Sequence, residues 1–127
     1  MRYLLDTHTL IWYLEDSKSL PKRLKDIIDN PNNSVFVSIV SLWEIVIKQN
    51  IGRLNLSITV DELFDIIQDK DYVLLPIKQE YLKIYRDLYL HHHCPFDRLL
   101  IATAISENLK FITKDKEIRK YYIDWIW

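Results

Sequence analysis

The chain has 127 residues, 49% of them apolar, with 17 Lys and Arg against 18 Asp and Glu. That length suits one compact domain, residues 1–127, with a real core, and one Gly and four Pro exclude collagen-like or low-complexity character. The near-zero charge balance gives no basic signature for nucleic acid, and the lone Cys94 excludes an intrachain disulfide and fits a reducing compartment.

In chain order, an apolar strand over 2–5 runs into Asp6, and a helix over 8–15 follows, with Asp6 or Thr7 placed to cap its free amides. The start resembles an export signal only until Asp6 and His8 interrupt it, so a cytoplasmic protein is expected. A helix over 21–29 opens at Pro21, whose missing amide costs nothing in a first turn. Asn30-Pro31-Asn32-Asn33 is turn chemistry and leads into a strand over 34–37. The stretch from Val35 to Ile47 is the most apolar, but Ser38, Ser41 and Glu44 make it too polar and too short to cross a bilayer.

A helix over 39–50 comes next. From 38 to 48 its polar residues, Ser38, Ser41, Glu44 and Lys48, fall on one narrow stripe. The stripe has two readings. It is a thin solvated edge, with a Glu44–Lys48 pair worth a few tenths of a kcal/mol, or it carries a carboxylate into a cleft, with Lys48 one turn on to meet a phosphate. Gly52 fits a left-handed helix stop, and Thr59-Val60-Asp61-Glu62 fits a capping box for a helix over 60–69. A strand over 72–75 and a helix over 78–90 follow. Pro95 opens a helix over 96–107 and puts Asp97 in its first turn, where the helix dipole favours a carboxylate by up to about 1 kcal/mol. The residues after Asp97 are apolar almost all round, so this helix is buried. A strand over 109–112 leads into Thr113-Lys114-Asp115, where Asp115 caps a helix over 115–120 or serves as a ligand. The aromatic, alternating segment over 122–126 reads as an edge strand whose outer face is free for a partner chain.

Strands alternating with helices imply parallel pairing and right-handed crossovers, hence an α/β sandwich with helices on both faces of a small sheet. Sites in such folds lie at the carboxyl ends of the strands. Asp6, Glu44, Asp97 and Asp115 are all placed near that edge, and four crowded acids repel unless a cation joins them. Mg2+ or Mn2+ takes oxygen ligands from a few carboxylates plus a substrate phosphate, and supports hydrolysis of a phosphodiester. Arg53 and Lys116 are candidate phosphate contacts along with Lys48, Arg98 and Lys114, the last two because each adjoins a proposed ligand. His91-His92-His93-Cys94 invites a zinc reading, which is rejected because adjacent side chains cannot converge on one tetrahedral ion. His8, His92 or His93 could instead touch the substrate.

Four segments resemble the PIN-domain ribonucleases, and more narrowly the VapC-type toxins of bacterial toxin–antitoxin pairs. They are Leu5-Asp6-Thr7-His8 with Leu10-Ile11-Trp12, Ser41-Leu42-Trp43-Glu44-Ile45 with Lys48 and Gly52-Arg53-Leu54, Pro95-Phe96-Asp97-Arg98-Leu99-Leu100-Ile101-Ala102, and Thr113-Lys114-Asp115. The resemblance implies a three-layer α/β/α sandwich with a mainly parallel sheet. It also implies Mg2+ or Mn2+ held by Asp6, Glu44, Asp97 and Asp115, with Thr7 and Thr113 positioning water or an acid. The activity implied is cleavage of single-stranded RNA, and the partners implied are a second copy of the chain and an antitoxin. One departure is Cys94, where relatives often carry an acid.

Two rivals stand beside this reading. One is a phosphotransferase of the haloacid-dehalogenase type with Asp6 as nucleophile, but that chemistry wants a second acid two residues on, where His8 stands. The other is an RNA- or protein-binding module without turnover, which the loss of an acid would favour. None of the four is lost.

Overall fold

The computed structural model describes residues 1–90 and 94–127. Its strands are β1 (Arg2–Leu5), β2 (Ser34–Ser38), β3 (Val73–Leu75), β4 (Lys110–Ile112) and β5 (Trp125–Ile126). Its helices are α1 (Thr7–Leu14), α2 (Lys22–Asp29), α3 (Ile39–Asn50), α4 (Val60–Asp69), α5 (Gln79–Asp87) and α6 (Pro95–Glu107). The sheet order is β3-β2-β1-β4-β5, and every neighbouring pair is parallel. The chain therefore winds outward from β1 through β2 to β3, then crosses back to lay β4 on the other side of β1. The crevice between the carboxyl ends of β1 and β4 is the switch point, where open parallel sheets place their ligands.

Side chains alternate across the sheet, and so does the core. Tyr3, Leu5, Val35, Val37 and Ile112 face one layer, against α1, α2, α4 and Leu42 and Ile45 of α3. Leu4, Phe36, Phe111 and Leu75 face the other, against α5 and α6. The result is the expected α/β/α sandwich. Helix α6 is the most deeply seated: Leu99 to Ala104 are all buried, Thr103 included. The Thr103 hydroxyl donates to the Leu99 carbonyl at 2.7 Å, which removes the cost of burying it. Asn108 ends the helix in the left-handed region at φ 54°. Among the described residues, no helix is long and apolar enough to cross a membrane.

Local signals place most boundaries. Thr59 and Glu62 form the capping box, Gly52 has φ +72° after α3, and Pro95 opens α6. Four segments differ. Pro21 sits at the cap position just outside α2. The helix expected to run to 90 ends at Asp87, and its exposed carbonyls are taken by Arg98 of α6. The helix expected over 115–120 shrinks to a 3-10 turn at Ile118–Lys120, and the last strand to two residues. In the first of these the Asp115 carboxylate accepts from the Glu117 amide at 2.9 Å, closing a tight turn in place of a helix start.

Candidate active site

Asp6 is the last residue that β1 ties to β4, through its amide to the Ile112 carbonyl at 3.1 Å. It occupies the cap position of α1, yet its side chain makes no cap hydrogen bond. The carboxylate turns instead to β4, where Oδ2 accepts from the Thr113 hydroxyl at 2.8 Å. Thr113 Oγ1 in turn accepts from the Asp115 amide at 3.1 Å. One buried hydroxyl thus orients both strand-end acids, with its proton assigned to Asp6. Asp6 is only 3% exposed, and burial pushes its carboxyl up to about 7. The Thr113 hydrogen bond and the Thr7 amide pull it down, while the charges of Asp97 and Asp115 push it further up. Removal from water outweighs both hydrogen bonds.

Glu44 is carried in from α3. Ser38 caps that helix by accepting from the Val40 amide at 3.0 Å. Ser41 accepts from the Thr7 hydroxyl at 3.0 Å, with both side chains buried. Thr7, expected to position water or an acid, thereby ties the start of α1 to α3. The polar stripe is therefore not a solvated edge. Glu44 is 6% exposed. Its Oε2 meets Lys48 Nζ at 2.8 Å, so the expected i,i+4 pair forms, but half-buried. Its Oε1 is buried with no hydrogen-bond partner among the described residues. An orphaned buried acceptor costs about 1–3 kcal/mol.

Asp97 lies half-buried in the first turn of α6. Its charge reaches both Asp6 and Cys94. Burial first, and then the charges of Asp97 and Glu44, push the Cys94 thiol up, so position 94 presents a neutral thiol. The structure thus brings Asp97 and Asp115 within electrostatic reach of Asp6, and Glu44 within reach of Cys94 at the start of α6.

Do these residues fit a metal? Among the described residues no group of three or more His, Cys, Asp or Glu side chains is arranged to hold a metal ion. The donors are nevertheless all carboxylate oxygens. Burial opposes the charged form of Asp6, and one Glu44 oxygen has no hydrogen-bond partner among the described residues. That is the donor set of a hard cation bound by a few carboxylates and several waters, which needs no closed cage.

Of the five candidate phosphate contacts, Arg53 and Lys116 are exposed, and the other three have different surroundings. Lys48 pairs with Glu44 and stays 32% exposed. Lys114 is exposed, with its ammonium 5.9 Å from the centre of the Trp12 ring. Arg98 is buried at 7%. Its guanidinium donates to the Tyr89 carbonyl at 2.9 Å, the Tyr121 hydroxyl at 3.1 Å and the Tyr85 carbonyl at 3.3 Å, and lies over the Tyr85 ring. It anchors the end of α5 and offers no free cation to a phosphate. Sequence carried a signal for this role: an Arg in the first turn of a helix that is apolar all round cannot stay on the surface. Ser41, the acceptor for Thr7, was visible only as a member of the polar stripe. His91, His92 and His93, the zinc and substrate-contact candidates, lie outside the described residues.

The PIN-domain family model matches residues 3–124. No curated protein sequence matches the chain. Its fold is similar to solved structures. Against VapBC2 from Rickettsia felis, bound to a DNA fragment from its promoter, the TM-score is 0.75 at 18% identity, covering 99% of this chain and 98% of the other. VapBC-1 from nontypeable Haemophilus influenzae gives 0.70 at 19% identity, covering 99% and 97%. A toxin–antitoxin complex from Klebsiella pneumoniae gives 0.63 at 17% identity, covering 98% and 96%.

Proposed function

This chain belongs to the PIN-domain family, and from that premise we propose that it is a divalent-metal-dependent endoribonuclease and the toxin of a toxin–antitoxin pair. The observation that carries the proposal is the placement of Asp6: a buried carboxylate at the sheet's switch point, held by Thr113 and opposed by the charges of Asp97 and Asp115. Asp6, Glu44, Asp97 and Asp115 would hold Mg2+ or Mn2+. When bound, such an ion supplies Lewis acidity toward a phosphate oxygen and toward water.

The chain's own residues do the rest. Thr113 fixes the Asp6 and Asp115 segments relative to each other. Lys48 sits beside Glu44, and Lys114 beside Asp115, each a cation able to meet phosphate oxygens on the rim of the acids. Water attacks the scissile phosphate in line, and no side chain is covalently modified. Single-stranded RNA is the substrate that the family resemblance favours.

The fold neighbours from Rickettsia, Haemophilus and Klebsiella are VapBC or toxin–antitoxin complexes, which favours an antitoxin partner for this chain. A homodimer and a cytoplasmic location belong to the same proposal. The test is cleavage of single-stranded RNA with Mg2+ or Mn2+ by the wild type, Asp6→Asn and Asp97→Asn, with circular dichroism as the control for folding. Both variants are expected to be folded and inactive. Full activity in both would sink the mechanism, and co-purification with a small DNA-binding protein encoded alongside would support the toxin assignment.

A further inference from the structure

An aromatic and cationic surface borders the acids on the α1 side. Trp12 is half-buried one turn and a half after Asp6, and its ring centre lies 5.9 Å from that of the exposed His8 and 5.8 Å from that of Trp127. The Lys114 ammonium is 5.9 Å from the centre of the same indole. Lys114 stands between Thr113 and Asp115, and His8 two residues beyond Asp6, so both chain segments that carry the strand-end acids also carry this surface. Trp12 also lines a groove of about 290 Å3 together with Lys18, Lys22, Lys25 and Asp16. Lys22 and Lys25 are paired with Asp26 and Asp16, while Lys18 is exposed and carries no ion pair among the described residues.

We propose that Trp12, flanked by His8 and Lys114, is a positioning platform on which a nucleobase next to the scissile phosphate stacks, with the strand continuing into the lysine-lined groove. Aromatic faces alternating with cations are how proteins hold single strands without reading sequence, because every base has a face to stack and every nucleotide a phosphate. Trp12 packs against the core and also lies under the exposed Lys114, beside the strand-end acids. The Lys114 ammonium, which lies over the indole in the free protein, meets the phosphate that follows the base. The platform also supplies positive charge to a rim whose carboxylates would otherwise repel the strand.

The inference rests on the nuclease reading above and deepens it. It is tested by cleavage kinetics and by binding to a mixed-sequence, fluorescein-labelled single-stranded RNA, the binding read as anisotropy with Ca2+ in place of Mg2+. Trp12→Leu keeps the apolar volume that packs on the core and removes the stacking face, and Trp12→Phe restores a smaller one. Trp12→Leu is expected to weaken binding and raise KM by roughly tenfold, with kcat within about twofold, and Trp12→Phe to recover most of the loss. Lys114→Ala should weaken binding by a few-fold and flatten its salt dependence. In an oligonucleotide scanned with single abasic positions, one position should cost the wild type about as much as Trp12→Leu does, and cost that variant nothing further. Wild-type binding by folded Trp12→Leu, or undiminished sensitivity of that variant to every abasic position, overturns the platform. Should the wild type bind RNA without cleaving any, the nuclease reading fails alone and the anisotropy comparison still decides the platform. A wild type that neither binds nor cleaves overturns both.

Discussion

Asp6→Asn should make the metal-free protein more stable at alkaline pH. In the folded state the carboxyl titrates at about 7, against 3.8 when free of the fold. The folded state therefore binds this proton more tightly than the unfolded chain does. Its contribution to stability is fully present below about pH 4 and is lost as pH rises through about 7, at roughly 1.4 kcal/mol per unit. Across a window of about three units the ceiling is about 4 kcal/mol for the single group. Relaxation and water entry reduce it to about 2 kcal/mol. Asn keeps the shape and still offers an oxygen to the Thr113 hydroxyl, but cannot ionise, so it escapes the penalty. The assay is urea denaturation of both proteins in EDTA from about pH 4 to 8, taking the difference so that other titrations cancel. The two proteins should coincide near pH 4, diverge in favour of the variant as pH rises from there, and reach their full difference above about pH 7. Mg2+ should then reverse the order, because an ion that binds only the folded wild type adds RT ln(1 + [Mg2+]/Kd). A variant that is less stable than wild type near pH 8 in EDTA, or a difference that does not change with pH, would refute the account of Asp6.

Two further outcomes follow from the same geometry. Lys48→Met leaves Glu44 buried with neither oxygen satisfied, so it should cost about 1–3 kcal/mol in EDTA and recover much of that with Mg2+, read by the same denaturation series; loss that Mg2+ does not restore would separate Glu44 from the metal. Arg98→Lys keeps the charge but not the fork that holds the end of α5, so it should destabilise by about 2–4 kcal/mol; unchanged stability with a raised KM for RNA would return Arg98 to the role of phosphate contact.

Much of the fold was legible because its signals are local. Short apolar runs that end in an acid marked β1 and the β4 exit. The capping box at Thr59, the lone Gly52 and Pro95 marked helix ends by their own backbone chemistry. What stayed hidden depends on residues far apart in the chain. No local pattern says that β4 lies beside β1, so the hydrogen bond from Thr113 to Asp6 could not be read from either segment. The apolar pattern of α5 continues to Leu90, and only the guanidinium from α6 explains why its backbone turns away after Asp87.

The polar stripe of α3 shows the same limit at the site itself. Spacing put Ser38, Ser41, Glu44 and Lys48 on one face and correctly paired the last two, but water and protein are equally good neighbours for such a face at the level of sequence. Two remote elements decide between them. Thr7 at the start of α1 takes Ser41, and the start of α6 brings Cys94 within electrostatic reach of Glu44. With water removed, the pair that would have been worth a few tenths of a kcal/mol in solvent becomes one satisfied oxygen and one orphan. A residue that folding leaves unsatisfied at a measurable cost is a stronger pointer to a missing cation than a cluster of exposed acids. The unpartnered oxygen of Glu44 and the burial-driven rise of the Asp6 carboxyl have different causes, and both support the proposed cation.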